Sequence, residues 1–218
     1  MEETTSREKI LKRIRHALIH KSPQQTADVD WEKDIYVYSS EAPEVAFAEA
    51  FKKAGGDFIY CNDEIDFFEK LVIVTQEKGW KNFFCREDKI KGYLDKIEFP
   101  YSSADKGFEE PVTTITLCEA LVARTGSVFV SGRQQSGRRL PIIGSTHVVV
   151  AFASQIVPDI KEVFPTIKAS YKDDLPSMMT LITGPSRTAD IEKTLIKGAH
   201  GPKEIFVFLI DDLSTNTN

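Results

Sequence analysis

A chain of 218 residues carries 28 Lys and Arg against 33 Asp and Glu, a formal net charge of −5. With 41% hydrophobic and 28% charged residues, it has the composition of a soluble globular protein with one principal domain, large enough to bury a core without a disulfide or metal staple. The acidic balance argues against a general nucleic-acid binder, which needs a basic surface, and no apolar run approaches the ~18 residues of a membrane span.

The three cysteines, Cys61, Cys85 and Cys118, are widely spaced and form no CxxC pair. A zinc ribbon, an iron–sulfur cluster and a thioredoxin-type redox pair therefore have no ligand set in this chain, and no metal site is expected. Reduced, buried thiols in a cytoplasmic protein are the expectation. The N-terminus lacks the apolar core of a signal peptide, and Glu2, Glu3 and Glu8 argue against a transit peptide.

Thr5 and Glu8 have the spacing of a capping box, and Ile10, Leu11, Ile14, Ala17 and Leu18 follow on one helical face. The opposite face carries Lys9, Lys12, Arg13, Arg15 and Lys21, and the helix either docks on the domain or takes a partner. Residues 1–34 are expected to form this helical appendage and its linker, 35–212 an α/β domain, and 213–218 a disordered tail.

Within the domain an α/β rhythm is predicted. It comprises a helix at 43–54 stopped by Gly55-Gly56, a strand at 57–61, a helix at 63–78 capped by Asn62 or Asp63, a strand at 82–85 and a helix at 89–94. Such alternation implies βαβ units and a largely parallel sheet flanked by helices. Residues 120–123 and 127–130 read as extended segments around Thr125-Gly126. A polar, basic loop follows at 132–139, and 147–153 is a buried strand. Helix is expected at 159–169, bent or ended by Pro165, then strand at 178–183, helix at 188–197 and a strongly apolar strand at 204–211.

The most informative stretch is Thr183-Gly184-Pro185-Ser186-Arg187-Thr188-Ala189-Asp190-Ile191-Glu192, which joins a predicted strand to a predicted helix. Gly184 permits close approach of a ligand, and Ser186 or Thr188 can cap the helix. Free N–H groups at a helix start beside Arg187 would suit a phosphate or carboxylate; an ordinary capped turn is the alternative. Gly198-Ala199-His200-Gly201-Pro202 follows, with His200 a candidate proton-transfer group and Asp190 near the start of the same predicted helix.

Arg138 and Arg139 lie in the Gly-rich loop at 132–139, which either closes over an anion or is simply solvated. His147 begins the next strand and either faces the same cleft or is a satisfied strand-end histidine. Thr125, Gly126 and Ser127 are hydroxyls around a glycine turn, suited to an anion or to a plain hairpin.

These same stretches carry a family resemblance. TGPSRTADIE, then GAHGP before an apolar strand, with ARTGSVFVSG and GRRLPIIGSTHVVV upstream, resemble the LUD-domain family and, most specifically, its lactate-utilisation protein C branch. The resemblance spans about residues 40–212. The chain departs from the usual pattern at Arg124, where an acidic residue normally precedes the Thr-Gly turn, and at Ser127, where a Thr normally follows it.

The resemblance implies an α/β fold of the kind shared by sugar-phosphate isomerases, CoA transferases and the formyltetrahydrofolate cyclo-ligase. It implies a part in oxidising L-lactate to pyruvate beside iron–sulfur partner proteins, whose clusters would sit on the partners and not on this chain. The anion-binding set is then Thr125, Gly126, Ser127, Arg138, Arg139, His147, Gly184, Ser186, Arg187, Thr188 and Gly201, holding a small carboxylate or phosphate. Relatives of the fold suggest a second possibility, a free-standing enzyme for a phosphorylated sugar, CoA ester or nucleotide.

Overall fold

The computed structural model describes residues 5–19, 40–104, 112–188 and 196–213. The chain divides into two compact units, Met1–Val37 and Tyr38–Asn218. In the first, helix α1 (Ser6–Ile19) starts as its capping box predicts. Thr5 N–H donates to Glu8 Oε2 at 2.9 Å, and Glu8 N–H donates to Thr5 Oγ1 at 3.4 Å.

The second unit is built on a parallel sheet of five strands: β1 (Asp57–Cys61), β2 (Phe83–Cys85), β3 (Thr113–Thr116), β6 (Thr146–Phe152) and β11 (Glu204–Ile210). Their spatial order is β1-β11-β6-β3-β2. β11 reads EIFVFLI without polar alternation after its first residue because both of its faces are buried.

One face of this sheet, with Ile115, Val148, Val150, Phe206 and Phe208, packs on helices α3 (Glu64–Lys78) and α4 (Asp88–Lys96) through Phe67, Leu71, Ile90 and Leu94. The α3 start is set by Asp63, whose side chain accepts from Asp66 N–H at 2.8 Å.

The other face, with Val149, Ala151, Ile205, Val207 and Leu209, packs on helix α2 (Pro43–Lys53) through Phe47 and Phe51, and on a second sheet through Leu121, Val128 and Val130. That sheet has the order β7-β4-β5-β8, from β4 (Ala120–Val122), β5 (Ser127–Ser131), β7 (Ile156–Val157) and β8 (Met179–Ile182). Helix α6 (Val163–Tyr171) covers its far side with Val163 and Ile167.

The fold is therefore mixed α/β, with one parallel and one mixed sheet. The sequence reading anticipated the parallel arrangement of the first sheet and the strands β4, β5 and β8 of the second, but not that these form a sheet of their own, and it missed strand β3. β3 reads Thr-Thr-Ile-Thr, and its three threonines are buried, so composition hides a core strand. Pro165 neither bends nor ends its helix. It lies in the first turn of α6, where its missing N–H has no intrahelical acceptor to lose.

The expected helix at 188–197 is corrected at both ends. Strands β9 (Arg187–Thr188) and β10 (Ile196–Lys197) pair antiparallel there. Gly198 N–H continues the ladder by donating to Ser186 O at 2.9 Å, so backbone pairing takes the groups that would have opened a helix. Asp190 and the interior of that segment lie outside the described residues, as does the tail beyond Leu213. Among the described residues, no helix is long and apolar enough to cross a membrane.

Candidate functional site

The two sequence motifs meet. A cavity of about 230 Å³ is lined by Thr183, Gly184 and Ser186 from one motif and His200, Gly201 and Pro202 from the other. Ser186 N–H donates to Pro202 O at 2.9 Å and locks the two stretches together. This N–H is therefore not a free helix-start donor.

The remaining wall comes from Leu181 and Ile182 of β8, Ile205 of β11, and Pro141 and Ile142 of the short helix α5 (Leu140–Ile143). The site is thus apolar on the sheet side and carries two hydroxyls, from Thr183 and Ser186, and the His200 imidazole. His200 is exposed, as expected for a group at the mouth.

The Thr125-Gly126-Ser127 turn reaches this cavity through hydroxyls. Ser127 Oγ lies 2.7 Å from Thr125 Oγ1 and 2.7 Å from Thr183 Oγ1. Ser127 is fully buried, so the turn supports Thr183 from behind.

Two glycines permit the close packing this needs. Gly126 has φ +58°, and a Cβ there would stand 2.2 Å from the backbone N of Phe51 on α2. Gly184 has φ +76°, and a Cβ there would stand 2.3 Å from the carbonyl oxygen of Ala54. The C-terminal end of α2 is therefore part of the site's frame, which no local motif in residues 43–54 announces.

Arg187 is exposed, and its Nη2 donates to Ala54 O at 2.8 Å. It closes the end of α2, where helix carbonyls lack internal partners. Thr188 pairs with Ile196 in the β9–β10 ladder.

The basic loop at 132–139 goes elsewhere. Gln135 Oε1 accepts from Asp88 N–H at 2.7 Å, and its Nε2 donates to Asp88 Oδ2 at 2.6 Å. Ser136 N–H donates to the buried Glu87 carboxylate at 3.1 Å. Arg133 is ion-paired with Asp174, and Arg138 donates to Ser177 Oγ. The loop thus bridges the start of α4 and residues 174–177. Arg139 flanks α5, its carbonyl accepting from Ile142 and Ile143 at 3.0 Å. None of Arg133, Arg138 and Arg139 lines the cavity; the neighbouring Pro141 and Ile142 do.

His147 is completely buried in β6, with its Nε2 2.8 Å from Thr116 Oγ1. Burial pushes its pKa down to about 3, so the ring is neutral and cannot serve as a cationic anion ligand at neutral pH. It does not line the cavity, and it is satisfied at one ring nitrogen only, because Nδ1 has no partner among the described residues.

Arg124, the departure noted in the Thr-Gly turn, is ion-paired with Asp159. Asp159 caps the short 3-10 turn at Ile160–Glu162 by accepting from Lys161 N–H at 3.0 Å. Arg124 thereby ties the turn beside the site to the start of α6.

All three cysteines are free and buried, as the sequence reading expected. Among the described residues, no group of three or more His, Cys, Asp and Glu could hold a metal ion.

A model of the LUD domain matches residues 86–210. The lactate utilization protein C of Anoxybacillus flavithermus is 32% identical over 158 residues, covering 72% of this chain and 64% of that protein. The lactate utilization protein C of Bacillus subtilis is 32% identical over 117 residues, covering 50% of this chain and 49% of its own length. The chain spans about half the length of most of the curated relatives it matches. A crystal structure of a DUF162-family protein from Deinococcus radiodurans superposes with a TM-score of 0.56 at 16% identity, covering 77% of this chain and 96% of that one. That likeness concerns the fold.

Proposed function

This chain belongs to the LUD-domain family, and on that premise we propose that it is a component of an L-lactate utilisation system that binds a small carboxylate between Thr183–Ser186 and His200–Pro202. The observation that carries the reading is the cavity of about 230 Å³ in which both family motifs meet. It lies below the ~300–1,000 Å³ range of drug-sized ligand sites, which favours a molecule of lactate or pyruvate size.

In this reading the Thr183 and Ser186 hydroxyls hold the ligand's oxygens, and the methyl end rests on Ile182, Ile205 and Pro141. His200 takes the proton that leaves the substrate hydroxyl, and Asp190 joins the proposal on its sequence position alone. Arg187 does not line the cavity; of its five N–H donors Ala54 O takes one, and the guanidinium would turn from there to meet a carboxylate at the mouth. Oxidation to pyruvate also releases the Cα proton and two electrons; iron–sulfur clusters on partner proteins would take the electrons, and the Cα proton would pass to solvent. The relatives' printed role in lactate utilisation supports this pathway assignment.

The test combines calorimetric titration with L-lactate and pyruvate and co-purification with iron–sulfur partners. Binding that is lost in Ser186→Ala and His200→Gln, together with co-purification, is the expected result. Lactate oxidation that survives deletion of the chain overturns the reading. So does a thermal shift given only by phosphorylated sugars, CoA esters or nucleotides, which would instead favour a free-standing enzyme. Ligand at ~100 times its Kd stabilises by about 2.7 kcal/mol, well within reach of such a panel.

A further inference from the structure

A second, larger cavity of about 670 Å³ lies beside β2, the edge strand of the parallel sheet. It is bounded by the last turn of α3, the residues leading into β2, and residues 97–102, which return along that strand. It shares no lining residue with the lactate-sized cavity.

Its walls are aromatic. Trp80, Phe83, Phe99 and Tyr101 all line it, and the Phe83 and Phe99 rings meet edge to face at 4.7 Å. The chain reaches Trp80 through a left-handed Gly79 (φ +64°), with Trp80 N–H donating to Thr75 O at 3.1 Å. The Trp80 ring packs against Phe206 at 4.7 Å and is 8% exposed.

Two polar atoms in these walls are unpaid for. Trp80 Nε1 and Thr75 Oγ1 are buried with no hydrogen-bond partner among the described residues. An indole N–H nearly always finds a partner when buried, and leaving such a group unpaired costs about 1–3 kcal/mol. The fold itself thus leaves a donor in the aromatic wall without an acceptor.

Trp80 and Lys81 also line a neighbouring groove of about 560 Å³. There Lys78, Lys197 and Lys203 join Lys81, with Glu204 the acid among the described lining residues. On a chain of net charge −5 this is a local concentration of positive charge. Trp80 is the partition between an aromatic chamber and a cationic groove.

We propose that this edge of the sheet binds a planar aromatic or heteroaromatic compound carrying an anionic group, the ring in the chamber of Trp80, Phe83, Phe99 and Tyr101 and the anion in the lysine groove. Lys81, common to both spaces, meets the charge.

The test uses 1-anilinonaphthalene-8-sulfonate, an aromatic anion, and N-phenyl-1-naphthylamine, its uncharged counterpart. Trp31 and Trp80 are the two tryptophans, so full-length protein carrying Trp31→Phe leaves Trp80 as the sole indole reporter. The anionic probe should bind at one saturable site and quench Trp80 emission by energy transfer. Gln76→Phe, at an exposed position on the rim, adds bulk without a second indole and should weaken both probes by about tenfold or more, the equivalent of roughly 1.4 kcal/mol. Lys81→Glu should weaken only the anionic probe. Thr75→Val is a second chamber variant with nearly unchanged volume, and thermal melts verify that each variant is folded.

Absence of saturable quenching overturns the site. Quenching indifferent to both Gln76→Phe and Thr75→Val overturns the chamber as its location. Chamber binding indifferent to Lys81→Glu overturns the anionic class of ligand.

Discussion

The guanidinium of Arg187 donates to the carbonyl oxygen of Ala54 at 2.8 Å, joining the most diagnostic sequence motif to the end of a helix far away in the chain. The same carbonyl oxygen lies where a Cβ on Gly184 would fall. One backbone atom of α2 therefore disciplines both ends of the Gly184–Arg187 turn. Arg187→Ala should weaken carboxylate binding while costing only about 1 kcal/mol of stability, the net worth of one hydrogen bond. Isothermal titration beside urea denaturation separates the two effects; unchanged carboxylate affinity would refute a ligand role for Arg187.

Gly184→Ala and Gly126→Ala should be far more damaging than Arg187→Ala. Each needs a positive φ and places a methyl within 2.3 Å of backbone, which cannot swing aside as a side chain can. A loss of roughly 2–4 kcal/mol is expected for each, from strain and overpacking together. Chemical denaturation at constant m-value measures it, and a loss below that of Arg187→Ala would contradict the geometry.

His147 makes a pH prediction. Its pKa falls from 6.5 in the unfolded chain to about 3 in the fold, because burial disfavours the imidazolium. Between these values the unfolded chain binds the extra proton, so this contribution is intact above pH 6.5 and erodes as pH falls. The slope from one such group approaches about 1.4 kcal/mol per pH unit. His147→Gln should flatten the acid limb of a stability–pH curve between pH 6 and 4; an unaltered limb would show that the ring is not kept neutral.

Asp159 acts in the acid range too. The Lys161 N–H, with the Arg124 guanidinium, holds its carboxyl below the usual carboxylate range. Its stabilisation is present above the unfolded pKa near 4 and is lost as pH falls through the depressed folded value. Asp159→Asn keeps an oxygen that can accept from Lys161 N–H, and should cost about 1 kcal/mol or more by removing the carboxylate partner of Arg124. Denaturation at pH 7 and pH 3 should show the deficit shrinking at the lower pH.

The thiols should be inert in the native state. Burial pushes Cys61 and Cys85 up to about 12 and Cys118 higher still, so little thiolate exists at pH 8. A thiol reagent should label the protein slowly when native and at all three cysteines in denaturant. Rapid native labelling at any of them would signal local opening.

Much of the molecule is written in short-range patterns. Capping at Thr5 and Asp63, the apolar run of β11 and the glycine turn between β4 and β5 follow from chemistry within a few residues, and they were legible for that reason. The motifs Thr183–Arg187 and His200–Pro202 were legible as places, and the fold brings them to one cavity. β3 was not, because Thr113, Thr114 and Thr116 are polar in composition yet buried by their neighbours in the sheet. Nor was the partnership at 187–197, where pairing between β9 and β10 overrides helix propensity at both ends.

Long-range closure decided the rest. Loop 132–139 has the composition of an anion clamp, but Gln135 and Ser136 find Asp88 and Glu87, and the loop is spent on anchoring α4. His147 has the identity of a ligand and the burial of a core residue. A side chain's chemical capacity is fixed by its residue type and readable from sequence. Whether that capacity is used inward or offered outward depends on which distant groups reach it first, and only the tertiary structure sets those distances.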